Sequence, residues 1–180
     1  MTTQHTLRRA VFPGSFDLFT YGHLDILRRS LRLFDEVIVA LAVNVKKKYF
    51  FDTETRMRLV MDVLTEELAT EERERVRVVY SENEFIVNFA RDNGAEFLVR
   101  GIRGPNDFVD EYNNYVVNLH INKDIEVIHL ICPPDKLAVS SSAVKSNVGI
   151  AGWEELARQF VPAASLRGLQ AWAAAQQATK

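Results

Sequence analysis

The sequence has few of the features that define several large protein classes. Its single cysteine, Cys132, excludes an intramolecular disulfide framework and is typical of a reducing compartment. The spacing of cysteine and histidine matches no zinc site. No apolar run approaches the roughly 18 residues that span a bilayer, and residues 1–12 (MTTQHTLRRAVF) lack the core of a signal peptide. We therefore expect a soluble, cytoplasmic protein.

An excess of charge of either sign is also lacking. The 22 Lys and Arg residues nearly balance the 24 Asp and Glu residues, and the net charge of -2 excludes a general attraction to nucleic acid or to an anionic membrane. Any anion site must therefore be local. Cys132 follows the apolar segment IEVIHLI, so we expect a buried structural thiol rather than a nucleophile.

What the chain does contain is an alternation of strand-like and helix-like segments. DEVIVALAV (35–43) is nearly continuous in apolar residues, like a strand covered on both faces of a parallel sheet. The alternation predicts an α/β fold, a single-domain, doubly wound, five-stranded parallel sheet with C-terminal helices. The predicted strands are 7–12, 35–43, 75–80, 96–101 and 125–131.

The predicted helices follow from apolar spacing and from end signals. Helix 22–34 has Leu24, Leu27, Leu31 and Phe34 on one face, and the helix after the N-cap Asp52 has Met57, Val60, Met61, Leu64 and Leu68 on one side. A third predicted helix ends at Gly94, and a fourth spans 107–121. Shorter helices start near Ser140, Trp153 and Pro162. One domain covers residues 1–180, with its core at about 7–165 and a frayed tail at 173–180.

Open α/β sheets bind ligands beyond the carboxyl ends of their strands, where the winding reverses. In FPGSFDLFTYGHLDILRRS (12–30), Gly14 ends the first strand, and Gly22 and His23 open a helix. A helix start offers unpaired N–H groups and the positive end of its dipole, to which His23 adds a donor for an anion. The alternative is an exposed first-turn histidine. The spacing matches neither a Walker A loop nor GxGxxG.

Four segments in order resemble the nucleotidyltransferase superfamily that carries the T/HxGH signature. PGSFDLFTYGH has Thr20 at the first signature position and Gly22-His23 at the invariant pair. KKYFF, RGIRGPNDFVDE and VSSSAVK are similar to the KKPxF, RGLR…DFxxE and ISSSxVK segments of bacterial phosphopantetheine adenylyltransferases. The resemblance covers about residues 8–165 and implies the Rossmann-like nucleotidyltransferase fold.

The resemblance also implies a reaction. AMP would pass from ATP to 4′-phosphopantetheine, giving dephospho-coenzyme A and pyrophosphate in coenzyme A biosynthesis. The attacking phosphate is already anionic, so direct in-line transfer needs no protein base or covalent intermediate. Mg²⁺ is expected because ATP is used as its magnesium complex, held mainly by phosphates and water. Family members are typically homohexamers, and coenzyme A is expected as a feedback ligand.

By resemblance, site roles fall on specific residues of this sequence. His23 would stabilise the transition state at the α-phosphate, and Lys47 and Arg103 would complete the catalytic set. The acceptor would contact Ser15, Lys47, Ile86 and Arg100. The residues implied in ATP binding are Ser15, Phe16, His23, Gly101, Ile102, Arg103, Glu111, Lys136, Leu137, Ala138, Val139, Ser140, Ser141 and Ser142.

Several of these residues also have an ordinary structural alternative. Lys47 could lie in a solvated basic loop, Arg100 and Arg103 could pair with surface carboxylates, and Glu111 could face solvent. Ser140 could be a simple N-cap.

The chain departs from the family pattern at several positions. Leu18 and Tyr49 stand where proline is usual, Lys136 lies near the expected adenine, and Asp110 and Asn114 lie in the expected acceptor pocket. The alternative functions are another nucleotidyltransferase, such as a cytidylyltransferase or a nicotinamide-nucleotide adenylyltransferase, and a non-catalytic nucleotide-binding protein.

Overall fold

The computed structural model describes residues 7–43, 47–136 and 140–178. Its elements are β1 (Arg9–Gly14), α1 (Tyr21–Leu33), β2 (Glu36–Val43), α2 (Thr53–Glu67), α3 (Thr70–Arg73), β3 (Val76–Glu82), α4 (Ile86–Asp92), β4 (Phe97–Ile102), α5 (Pro105–Ile121), β5 (Glu126–Ile131), α6 (Ser141–Lys145), α7 (Trp153–Phe160) and α8 (Ala163–Ala178). The five strands form one parallel sheet in the order β3-β2-β1-β4-β5. The predicted doubly wound sheet is confirmed, with its winding reversal between β1 and β4.

Helices cover both faces of the sheet because the central strands are apolar on both sides. In β1, Ala10 and Phe12 pack on the face covered by α1, and Val11 packs on the opposite face, covered by α4. The predicted apolar face of α1 is buried, with Leu27 fully enclosed. This alternation along one strand fixes its register, since a slip by one residue would exchange the two faces.

The C-terminal helices build a third apolar cluster beside the carboxyl edge of the sheet. Leu166 and Leu169 of α8 pack with Leu59 of α2 and with Leu18, which follows β1. The two helices approach closely at Gly168, where a Cβ would lie 2.7 Å from Leu59 Cδ2. The segment that follows β1 is therefore packed from both the sheet and the C-terminal helices.

Helix ends show what the sequence predicted and what it did not. α2 begins after the predicted N-cap Asp52, whose carboxylate accepts a 2.7 Å hydrogen bond from the Thr55 N–H. Met61, assigned to the apolar side of α2, is 44% exposed. The tail predicted to fray from residue 173 is helical to Ala178, and Trp172 packs on Phe50 with ring centroids 4.1 Å apart. That aromatic contact anchors α8 one residue before the predicted start of fraying.

α5 differs from the other long helices because none of its residues is buried. Phe108, Val109, Tyr112 and Val117 are each more than half exposed. α5 thus presents an unusually apolar surface for a helix on the outside of a sheet.

In the described ranges, no helix has the length and apolarity that crossing a membrane requires.

Candidate active site

A cleft of about 1240 Å³ opens at the carboxyl edge of the sheet. Pockets for one drug-sized ligand enclose ~300–1,000 Å³, so this cleft has room for two substrates side by side. The residues predicted from the sequence that line it are Ser15, His23, Lys47, Ile86, Arg100, Gly101, Arg103, Glu111, Ser140, Ser141 and Ser142. Segments far apart in the sequence therefore meet at one place.

Six other predicted residues are not placed in the cleft. The side chains of Phe16 and Ile102 are in the core, 2% and 8% exposed, so only their backbone could contact a nucleotide. Leu137, Ala138 and Val139 lie outside the described residues, as does the side chain of Lys136. Asp110 and Asn114, the departures in the expected acceptor pocket, do line the cleft.

The cleft exists because β1 and β4 separate at their carboxyl ends. β1 pairs with β2 along its whole length, but with β4 only at Ala10–Phe97 and Val11–Leu98. Beyond these pairs, Arg100 spans the gap, since its Nη1 donates to the Pro13 carbonyl at 2.8 Å. The guanidinium thus lies where the winding reverses.

His23 is oriented by the first turn of its own helix. Thr20 is the N-cap of α1, and its hydroxyl accepts a 3.3 Å hydrogen bond from the His23 N–H. In return the Thr20 N–H donates to His23 Nδ1 at 3.0 Å. Because Nδ1 accepts, the neutral imidazole carries its proton on Nε2. The capping box therefore leaves Nε2–H as the donor that the ring offers to a ligand.

The surroundings of His23 favour the neutral form. Its ring packs against Phe16 and Phe19, with centroids 5.2 and 5.4 Å away. Withdrawal from solvent, with smaller contributions from the positive charges of Arg103 and Arg100, lowers the pKa of His23 to about 4. At neutral pH the ring is an uncharged hydrogen-bond donor through Nε2–H and lacks the second proton of an imidazolium that could act as a general acid.

Both arginines of the RGIR segment pair with carboxylates of α5. Arg100 Nε donates to Glu111 Oε2 at 2.8 Å, and Arg103 Nε donates to Asp107 Oδ2 at 2.8 Å. The hydrogen bond to Asp107 raises the pKa of Arg103, and the same contact lowers the pKa of Asp107. The predicted ATP contact Glu111 is thus a partner of Arg100, with a side chain only 13% exposed. The carboxylates orient the two guanidinium groups, which still line the cleft.

The lysine and serine segments reach the cleft in different ways. Lys47 is exposed, and its Nζ lies 5.8 Å from the centroid of the Tyr49 ring. Ser140 is the N-cap of α6 and accepts a 3.1 Å hydrogen bond from the Ala143 N–H. Ser141 donates to the Leu18 carbonyl at 2.8 Å, which joins α6 to the segment after β1. Two of the three serines therefore have structural partners already.

Asp17 connects three of the cleft's segments, a role that the sequence analysis missed. Its buried carboxylate accepts hydrogen bonds from the N–H groups of Phe50 and Phe51, at 2.8 and 3.0 Å, and from Lys145 Nζ at 2.7 Å. Burial opposes ionisation, but the contacts with Lys145, Phe50 and Phe51 outweigh it and lower the pKa of Asp17. The only sequence signal is that Asp17 and Lys145 both lie inside segments that resemble family motifs.

Comparisons with known proteins find relatives over most of the chain. Residues 11–147 match the model of the cytidylyltransferase-like family. The phosphopantetheine adenylyltransferase of Chromobacterium violaceum is 39% identical over 156 residues, which cover 87% of this chain and 92% of that protein. The enzyme of the same name from Neisseria meningitidis is 37% identical over 160 residues, covering 89% and 91%.

A solved structure shares the fold. The nicotinic acid mononucleotide adenylyltransferase of Plasmodium falciparum, complexed with NaAD, superposes with a TM-score of 0.69. The match covers 93% of this chain and 96% of that one at 11% sequence identity. At that identity the likeness shows the architecture alone.

The geometry of His23 predicts its titration. The ordinary pKa of 6.5 applies in the unfolded chain and about 4 in the folded protein, so the unfolded state takes up the proton first as pH falls. The contribution of His23 to stability should therefore be full above about pH 6.5 and lost progressively down to about pH 4. Ring ¹⁵N NMR should show a midpoint near 4 and an Nε2–H tautomer at pH 7. A midpoint near 6.5 would contradict this environment, and His23→Gln serves as the non-titrating control for the stability curve.

Proposed function

Since this chain belongs to the phosphopantetheine adenylyltransferases of the cytidylyltransferase-like family, we propose that it transfers AMP from ATP to 4′-phosphopantetheine. The products are dephospho-coenzyme A and pyrophosphate, and the step belongs to coenzyme A biosynthesis. The observation that carries the proposal is the convergence of His23, Arg100, Arg103 and Lys47 on one cleft large enough for both substrates.

The chemistry suits a site without a general base. The attacking group is a phosphate anion, so the protein has only to align it with the α-phosphorus and to stabilise charge on the transition state. A neutral His23 with its proton on Nε2 donates a hydrogen bond to an α-phosphate oxygen and needs no proton transfer. The pyrophosphate leaves with the electron pair of the broken P–O bond.

The cationic side chains divide between the two substrates. Arg103 and the serine segment 140–142 suit the nucleotide's phosphates, and Lys47 and Arg100 suit the acceptor's phosphate. Arg100 uses three of its five N–H bonds on Glu111 and Pro13, so donors remain for an anion. Ser15 and Ile86 line the cleft, and we assign them to the acceptor.

Mg²⁺ enters this proposal with ATP. Bound with ATP, the ion would be held by phosphate oxygens and water and would supply positive charge, while the side chains of the cleft orient the phosphates. In the described part of the chain, no three acidic, histidine or cysteine side chains cluster as metal ligands.

Coenzyme A is the expected feedback ligand of the same cleft. It differs from the product by one phosphate on the ribose, so it combines the groups that the two substrate regions recognise. Its binding would exclude both substrates at once.

Association of several copies completes the proposal. α5 exposes six large apolar side chains, four of them by more than half, and buries no residue, and β5 is an edge strand of the sheet. A homohexamer that covers this face would remove apolar surface from water. Val117 and Asn118 of α5 also line the cleft, so assembly would act close to the site.

Substrate choice distinguishes this function from its alternatives. Purified protein with ATP, Mg²⁺ and 4′-phosphopantetheine should release pyrophosphate, whereas CTP with small alcohol phosphates and ATP with nicotinamide mononucleotide should give little. Preference for either of the latter pairs would assign another transferase activity. Nucleotide binding without pyrophosphate release from any pair would show a non-catalytic protein.

Replacing His23 tests transition-state stabilisation. We expect His23→Ala to lower kcat about 100-fold with little change in the KM for ATP, because the lost donor acts mainly on the transition state. Lys47→Ala is the contrasting variant and should chiefly raise the KM for 4′-phosphopantetheine. Steady-state kinetics with each substrate varied in turn would separate the two effects, and equal loss of binding and rate in His23→Ala would contradict its role.

Assembly can be tested on the face of α5. The wild-type chain should sediment as a hexamer, and Val109→Glu should dissociate it because a carboxylate cannot be buried there without a partner. Met61→Glu places the same charge on an exposed apolar site of α2 and should leave the assembly intact. A monomeric wild-type protein in analytical ultracentrifugation would refute the proposal.

A further inference from the structure

Arg56 of α2 is a fully buried cation that no role discussed so far explains. Its exposure is 0%, although the charge of an arginine persists at any physiological pH. Buried charges are costly unless they are paired, and the ion pairs between described residues include none to Arg56. Its positive charge is therefore enclosed without an ion pair, although it interacts electrostatically with the carboxylate of Asp52 at the start of the same helix.

The partners of Arg56 are neutral groups, and two of them belong to residues that line the cleft. Nη1 donates to the Ser15 carbonyl at 2.7 Å, and Nη2 donates to Thr53 Oγ1 at 3.1 Å. Its Cζ lies 4.0 Å from the centroid of the Tyr49 ring, and its buried Nε has no hydrogen-bond partner in the described structure. Ser15 and Tyr49 both line the cleft.

The hydrogen bond to Ser15 sets the orientation of a strained peptide. In a trans peptide the carbonyl and the N–H point in opposite directions, so a Ser15 carbonyl directed at Arg56 turns the Phe16 N–H to the opposite side. Phe16 has φ 42°, in the left-handed region that a bulky residue rarely adopts. Such a conformation persists only where its surroundings enforce it, and the guanidinium contributes to that enforcement.

We propose that Arg56 is a positioning residue for polyphosphate. It holds the Ser15–Phe16 peptide so that the Phe16 N–H faces the cleft as a phosphate donor, and its charge, which no ion pair engages, favours an anion there. Through Tyr49 it also orders the segment that carries Lys47. The identity of the polyphosphate as the nucleotide's tail rests on the proposed function.

Inorganic pyrophosphate with Mg²⁺ is a suitable probe, because it carries the polyanion without either organic substrate. Isothermal titration calorimetry on the full chain gives the Kd and the stoichiometry separately. We expect Arg56→Met to weaken pyrophosphate binding about tenfold or more at unchanged stoichiometry, since a charge and an ordered donor are lost. Arg56→Lys keeps the charge but not the two-donor fork, and its Kd should be intermediate.

The matched control is Arg58→Met, which removes the same charge from an exposed position two residues along α2 and should leave the Kd unchanged. If Arg56 had only a structural role, Arg56→Met would lower the folded fraction and hence the stoichiometry, and the folded protein would bind pyrophosphate with an unchanged Kd. That result would overturn the proposal. If Arg56→Met does not fold, an unchanged Kd in Arg56→Lys overturns it equally.

The outcome is separable from that of the proposed function. A wild-type protein that binds pyrophosphate but transfers AMP to no acceptor would refute the function, while a weakened Kd in Arg56→Met would still support the role of Arg56. An active enzyme in which Arg56→Met retains its Kd would refute the role of Arg56 alone.

Discussion

The limited pairing of β1 with β4 is the constraint on which the site depends. A doubly wound sheet must reverse its winding somewhere, and here the two central strands share only two register pairs before they separate. The gap receives the loop after β1, the start of α1 and the RGIR segment, which meet nowhere else in the fold. Arg100 spans the gap by donating to the Pro13 carbonyl, so a side chain replaces the hydrogen bonds that the strands no longer make.

The positive charge at the cleft depends on which of its cationic side chains are paired with carboxylates. Arg100 and Arg103 are paired with Glu111 and Asp107 of α5, which fixes their orientation and moderates their charge. Arg56 has only neutral acceptors, so its charge is not offset by a contact. On the proposed role of Arg56, a protein with a net charge of -2 attracts polyphosphate at one place, because this charge lies behind the cleft and not over the surface.

The sequence predicted the sheet, its strands and most cleft-lining residues because these leave local signals. Apolar runs reveal buried strands, and motif segments after strand ends must converge in a doubly wound sheet. The pairing of Glu111 with Arg100 and the contacts of Asp17 left no such signal, since they join residues from different elements. The burial of Arg56 could not be predicted either. In the sequence it is one of several charges on an amphipathic helix, and only the packing shows which of them is enclosed.

The packing around the cleft explains two departures from the family pattern, Leu18 and Tyr49. Leu18 has φ 142°, which a proline fixed near about −65° could not adopt, and its side chain is enclosed in the cluster built by the C-terminal helices. Tyr49 supplies the aromatic face on which the Arg56 guanidinium lies. Proline would restrict both loops through its ring, whereas here the same loops are restricted by burial and by a cation–π contact. The conformation of both loops therefore depends on contacts with α2 and with the C-terminal helices.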